Sequence, residues 1–348
     1  MPVIGSSVVF EAFFIAMMSA WTQTASRVEP SREAPDPPPA QAEPTVVSLF
    51  RFEPTGLSLL RPYRRGKIPV VFIHGLWSNP WSWARMIEVL EADAALRDRY
   101  QFWTFGYSTG DPLPYTAGLL RRDLDEVRRR FDPDRSDAAW DRMVLVGHSM
   151  GGLLTKLMVQ DSGTRLWRLI SDRPPEDLAG EPDDCDRFRR AFIFRPRPEV
   201  RRVIFIATPH RGSRVDRGGL ERLGSRLVRL PDPLRARYNR LMARNGPNFF
   251  TERFRKGLPT SIDELEWQSP ILMGLDELGL APTVKAHSII ADRRDPPRAG
   301  GSDGLVLYES AHLDGVATES LVSSGHLCQN HPAVIREVRR ILVEHGHH

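Results

Sequence analysis

Residues 147–151 read Gly-His-Ser-Met-Gly. A serine with glycines two positions to either side is the pattern of a nucleophile mounted on a sharp turn. The flanks supply the context this pattern needs. The run RMVLV at 142–146 reads as a buried strand, and a helical stretch opens at residue 150 and continues to about 160. A chain that turns straight from strand into helix holds Ser149 in a strained backbone state. A side chain at 147 or 151 would collide with the turn, and glycine fits both positions. Ser149 then projects from the sheet edge beside a helix N-terminus, where negative charge is favoured. His148 points off the other side of the turn, so it reads as a packing residue and not as the base.

A serine nucleophile needs donors for the oxyanion, a base and an acid. The Met150 backbone N–H is one donor by its place at the helix start. The second comes from the end of another strand, where VVFIHGLW at 70–77 offers the Leu76 N–H beside Gly75. His74 reads as a hydrogen bonder that fixes this loop. Of the tryptophans that follow, Trp77, Trp81 and Trp83 read as core and helix packing, with one of them a candidate for the pocket wall. The base must follow a late strand. His326 does so in LVSSGH at 321–326 and precedes the final helix, with His331 as runner-up and His312 as a loop-fixing residue. Asp303, in GSDGLVL at 301–307, is the acid that can hold the imidazole tautomer. Asp292 is its rival, and Asp295, Asp314 and Glu319 are weaker alternatives.

These residues must be carried by a sheet. Apolar runs at 68–73, 101–107, 142–146, 201–207 and 285–290 read as strands, and residues 318–323 as the last strand. Helical patterns at 79–97, 114–130, 150–160 and 332–344 alternate with them, the last with apolar positions 334, 335, 338, 341 and 342. Strand and helix in alternation predict an α/β fold with a mostly parallel sheet. Two stretches break the rhythm. Residues 171–200 are polar and rich in Pro, Asp and Arg and read as a surface loop. Residues 211–283 lack a strong strand and read as a helical insertion, with segments at 218–229, 233–244 and 249–256, placed to arch over Ser149 as a lid or cap.

The remaining composition is restrictive. In 348 residues there are two cysteines, Cys185 and Cys328, which rules out a disulfide scaffold or a cysteine-rich metal site. Basic residues exceed acidic by 48 to 44, and lysine occurs only at 67, 156, 256 and 285. The small excess reflects a preference for arginine, and the one arginine-rich stretch, 187–201, reads as a solvated loop; no nucleic-acid partner is expected. Residues 1–20 are apolar, but Glu11 interrupts them and no basic residue lies before it in residues 1–10, so they read as a poorly ordered head more readily than as a signal or anchor. Residues 27–45 hold six prolines and form a stiff linker. The expected organisation is therefore a head and linker over 1–45, then one domain over 46–348. The head is a candidate for peripheral membrane contact. The sequence leaves open a cytoplasmic or an exported, membrane-associated location, and the oligomeric state.

The whole constellation resembles the α/β-hydrolase superfamily, in its lipase and esterase branch, and is similar to bacterial lipase-like hydrolases of the GPI-inositol-deacylase type. The resemblance rests on His74-Gly75, Gly147–Gly152, Thr208-Pro209-His210-Arg211-Gly212-Ser213, Asp303-Gly304, His312–Gly315 and Gly325-His326, over roughly residues 65–345. It implies the α/β-hydrolase fold, with helices on both faces of the sheet. It also implies Ser149, Asp303 and His326 as a triad, with Leu76 and Met150 as oxyanion donors. The implied activity is hydrolysis of a small-molecule or lipid carboxylic ester through an acyl-enzyme, with no metal or organic cofactor. Acyl transfer or thioester cleavage on the same fold is the alternative, and a non-catalytic binding module is disfavoured because all three triad residues are present. The 211–283 region is longer than in minimal lipases, so a pocket cannot be carried over.

Overall fold

The computed structural model describes residue 53, residues 55–214 and residues 231–347. The apolar head, the Pro-rich linker and the helix expected at 218–229 lie outside these. Among the described residues seven strands form one sheet: β1 (Gly56–Leu59), β2 (Ile68–Ile73), β3 (Tyr100–Gly106), β4 (Met143–His148), β5 (Val200–Ile206), β6 (Lys285–Asp292) and β7 (Thr318–Ser323). Their order across the sheet is β1-β3-β2-β4-β5-β6-β7. Only β1 is antiparallel, pairing with β3. The six strands read from the sequence are all present and mutually parallel. The short edge strand β1 is not among them, because the four residues GLSL are too few to mark a strand.

Helices cover both faces, and the strand periodicity of two explains why. Val71, Ile73, Trp103, Phe105 and Leu145 point to one side. There they meet Ala117, Leu120 and Leu124 of α2 (Leu113–Phe131) and Leu153, Leu154 and Leu157 of α3 (Met150–Met158). Val70, Phe72, Val144 and Val146 point to the other. They meet Met86, Ile87 and Leu90 of α1 (Ala84–Ala92) and Val334, Ile335, Val338, Ile341 and Leu342 of α7 (Pro332–Gly346). The apolar stripe expected on the last helix is this buried face.

Three expectations need correction. The helix expected over 79–97 is broken into a 3-10 turn at Pro80–Trp83, α1, and a short helix Ala94–Arg99. Asp93 makes the break, since its carboxylate caps the second helix by accepting from Ala95 N at 3.0 Å. The expected loop at 171–200 contains α4 (Pro182–Phe192), which buries Cys185, Ala191 and Phe192. Within the insertion, α5 (Asp232–Arg244) and α6 (Pro270–Asp276) are separated by only single helical turns at Glu252–Arg255 and Ser261–Glu264. The helix expected at 249–256 is reduced to the first of these.

Residues 261–268 are tied to chain segments on both sides of the nucleophile strand. Ser261 N donates to Gly110 O at 3.3 Å, and Leu113 N donates to Glu264 Oε2 at 2.6 Å, in the connection after β3. Ser213 N donates to Leu265 O and Gln268 N to Arg211 O, both at 2.9 Å, in the connection after β5. Strands β2 and β4 lie between β3 and β5. Residues 261–268 therefore bridge the connections that flank the strand ending at His148.

Candidate active site

At the end of β4 the backbone of Ser149 takes φ 53° and ψ −124°, and α3 begins at the next residue. This is the left-handed region that a non-glycine residue adopts at a cost. The flanking glycines are obligatory in a measurable sense. A Cβ on Gly147 would lie 2.4 Å from Gly151 O, and one on Gly151 would lie 2.1 Å from Ile73 O. Ser149 N donates to Ile206 O at 2.8 Å, which ties the turn to the neighbouring strand.

Ser149 Oγ lies 2.7 Å from His326 Nε2. His326 Nδ1 lies 2.7 Å from Asp303 Oδ2. The other carboxylate oxygen of Asp303 accepts from Leu305 N at 2.8 Å and Val306 N at 2.7 Å. These two bonds fix the carboxylate so that it accepts the Nδ1–H of the imidazole. The ring then turns a lone pair on Nε2 toward the serine hydroxyl. Asp303 and Ser149 are buried, while the His326 side chain keeps 11 % of its surface exposed. The first-choice serine, acid and base read from the sequence are thus brought together in one hydrogen-bonded line.

The rivals are occupied elsewhere. Asp292 ends β6 and accepts from Arg294 Nε at 2.8 Å and Arg298 N at 3.0 Å, which shapes the loop leading to Asp303. His331 caps α7 by accepting from Ala333 N at 3.3 Å. His312 sits between Glu319 Oε2 at 2.6 Å and Asp314 Oδ1 at 3.2 Å, and the Glu319 bond raises its pKa. Each of these side chains is engaged in holding a loop or a helix end.

Of the two expected oxyanion donors, Met150 follows the serine in the chain and Leu76 follows a glycine packed against it. Met150, as the first residue of α3, has a backbone N–H without a helical i−4 partner. The strand end before Leu76 packs directly on the nucleophile, since a Cβ on Gly75 would come 3.0 Å from Ser149 Cβ. His74 braces this loop. Its ring is buried, stacks on Tyr107 at 4.3 Å between centroids, and is pushed by burial to a pKa of about 4. The Tyr107 hydroxyl donates to the His74 carbonyl at 2.5 Å. Of the tryptophans beside it, Trp83 is core against Phe72, whereas Trp77 and Trp81 are 42 % and 52 % exposed.

One residue has a larger part than the sequence indicated. His148 is not merely packed. Its Nε2 donates to the backbone carbonyl of His326 at 2.8 Å. No local signal distinguishes such a long-range bond from ordinary burial. The two cysteines are free and buried. Among the described residues no group of three or more His, Cys, Asp or Glu side chains is disposed to ligate a metal, and no helix is long and apolar enough to cross a membrane.

The profile of the alpha/beta hydrolase family matches residues 70–345, which spans every element of this site. The chain belongs to the alpha/beta hydrolase family. Family and fold make it a hydrolytic enzyme of this class. No curated protein sequence matches this alpha/beta hydrolase. Among solved structures it is similar to the mature lipase BlEst2 of Bacillus licheniformis, at 14 % identity and a TM-score of 0.47, over 84 % of this chain and 99 % of that one. It is also similar to a bromoperoxidase from Bacillus anthracis, at 13 % identity and a TM-score of 0.44, over 80 % and 92 % of the two chains. Esterase B from Lactobacillus rhamnosis matches at 12 % identity and a TM-score of 0.43, over 97 % and 96 %.

Proposed function

We propose that this alpha/beta hydrolase cleaves carboxylic esters through an acyl-enzyme on Ser149. The observation that carries the reading is the unbroken line of 2.7 Å contacts from Ser149 Oγ through His326 to Asp303. His326 Nε2 takes the hydroxyl proton as Oγ attacks the ester carbonyl. The new oxyanion is held by the Leu76 and Met150 N–H groups. Asp303 stabilises the imidazolium that forms. That imidazolium gives its proton to the leaving alcohol as the C–O bond breaks, and Ser149 is left acylated. Water then attacks the acyl carbon, His326 takes its proton, and the acid leaves as Oγ recovers a hydrogen.

In this reading residues 46–348 form the catalytic domain and 211–283 serve as its lid. The bridging bonds of residues 261–268 support that role. A cavity of about 530 Å³ lies beside them, walled by apolar Ile170, Phe192, Phe254, Leu258 and Ile271 and by charged Arg253, Lys256, Asp263, Glu264 and Glu266. Its size and the apolar part of its wall suit an acyl chain. The test is a panel of nitrophenyl esters of rising chain length with wild type and Ser149→Ala. Wild type turns over at least the shortest ester, and the variant turns over none. Equal turnover by both proteins would remove Ser149 from the mechanism.

A further inference from the structure

The base stands on a stretch without regular secondary structure, residues 324–331, between β7 and α7. A small set of bonds holds that stretch. Ser324 N donates to Asp292 O at 2.9 Å, Asn330 Nδ2 to Ser82 O at 2.9 Å, and His331 N to Cys328 O at 2.8 Å. The His326 carbonyl itself accepts two bonds, from Cys328 N and from His148 Nε2, each at 2.8 Å. A carbonyl oxygen only accepts, so His148 carries its proton on Nε2.

His148 is the last residue of β4 and the chain neighbour of Ser149. Its ring therefore links the end of the nucleophile's strand to the backbone of the base. It also meets the strand end that precedes Leu76, since a Cβ on Gly75 would lie 3.1 Å from His148 Nδ1. The ring is buried. Burial first, and then the neighbouring His326, lower its pKa to about 3, against the opposing effects of the His326 carbonyl and Asp303. The ionisable groups that face it are His326, Asp303 and His74.

We propose that His148 is a positioning residue whose Nε2–H bond to the His326 carbonyl sets the approach of the base to Ser149 Oγ. The inference rests on Ser149 and His326 acting as nucleophile and base. A neutral donor suits the place. The two imidazole centroids are 5.2 Å apart, and His326 gains a proton during each half-reaction. A second cation at that distance would oppose the transfer, whereas a neutral N–H tethers the loop without charge.

Glutamine and methionine are similar in length, and only glutamine ends in an N–H donor. The experiment compares His148→Gln with His148→Met, with rates expressed per active site titrated by a fluorophosphonate. His148→Gln stays within about five-fold of wild type. His148→Met loses about 10²-fold in kcat, the scale of an ångström misplacement at reacting groups, with KM held within about two-fold. Equal kcat for the two variants overturns the proposal, as does a loss confined to KM. Wild type labelled with ¹⁵N-histidine gives a reading that needs no variant. The His148 Nε2 proton persists against exchange from pH 5 to 9, and a freely exchanging or absent proton also overturns it. Ser149→Ala separates the two levels. A dead Ser149→Ala beside equal Gln and Met variants removes this inference alone, while an active one removes the ester-hydrolase reading and this inference with it.

Discussion

At the scale of single residues, the site divides into what a short motif can reveal and what only folding assembles. Ser149 was legible because its two glycines answer a local steric demand, since a Cβ on either would come within 2.4 and 2.1 Å of a backbone oxygen. Asp303 and Asp292 look alike in the sequence, as loop aspartates after one strand. Only the fold turns the first toward His326 Nδ1 and the second toward Arg294 and Arg298. His326→Ala lowers kcat by at least about 10³-fold, and Asp303→Asn by about 10³- to 10⁴-fold through the wrong imidazole tautomer. His331→Ala and Asp292→Asn remain within about ten-fold of wild type, because each serves a helix end or a loop. Steady-state kinetics on one short ester reads all four. A dead Asp292→Asn beside an active Asp303→Asn would reverse the assignment of the acid.

At the scale of elements, the sheet was the most readable part. Strands β2 to β6 are short runs buried almost throughout, and that leaves a strong imprint on composition. The elements that escaped have weak imprints. Strand β1 is four residues long at an edge. Helix α4 buries few apolar side chains among many charges, so its composition resembled a loop. Its Phe188 and Phe192 nevertheless pack on Phe254 from the insertion, at 5.6 and 6.4 Å between centroids. The insertion thus belongs to the same apolar cluster as the helices beneath it. Its cavity gives a specific expectation. Leu258→Trp narrows the space, and each excluded methylene forfeits about 0.8 kcal/mol of burial, or roughly four-fold in kcat/KM. An octanoyl ester then loses about 10-fold or more relative to acetyl, with acetyl turnover kept. An unchanged chain-length profile would place the acyl chain elsewhere.

At the scale of the whole molecule, buried ionisable groups set how stability follows pH. Burial holds His74 and His287 at about 4 and His148 at about 3, below the ordinary 6.5. As pH falls through 6.5 the unfolded chain takes up protons that these folded rings refuse, so stability is lost toward acid. Glu264 has the opposite sign. Burial raises its carboxyl from 4.5 to about 8, so between those values the folded chain keeps a proton that the unfolded chain has released. Its effect is a loss of stability as pH rises. Asp111, raised by burial to about 6, adds to that loss only below that value. Among these groups stability rises with pH up to about 6.5 through the histidines and falls from there to about 8 through Glu264, with slopes of about 1.4 kcal/mol per pH unit for each uncompensated group. Glu264→Gln keeps the acceptor for Leu113 N and removes the titration. Urea midpoints from pH 6.5 to 8 decline in wild type and flatten in this variant. A decline of equal slope in both would assign the alkaline loss to another group.

The most direct measurement of the central claim is chemical capture of the nucleophile. Wild type treated with a fluorophosphonate carries one adduct, and peptide mass spectrometry finds it on Ser149 within the segment that follows Arg142. Labelling slows in His326→Ala and vanishes in Ser149→Ala. An adduct on any other residue, or undiminished labelling of Ser149→Ala, would contradict the account.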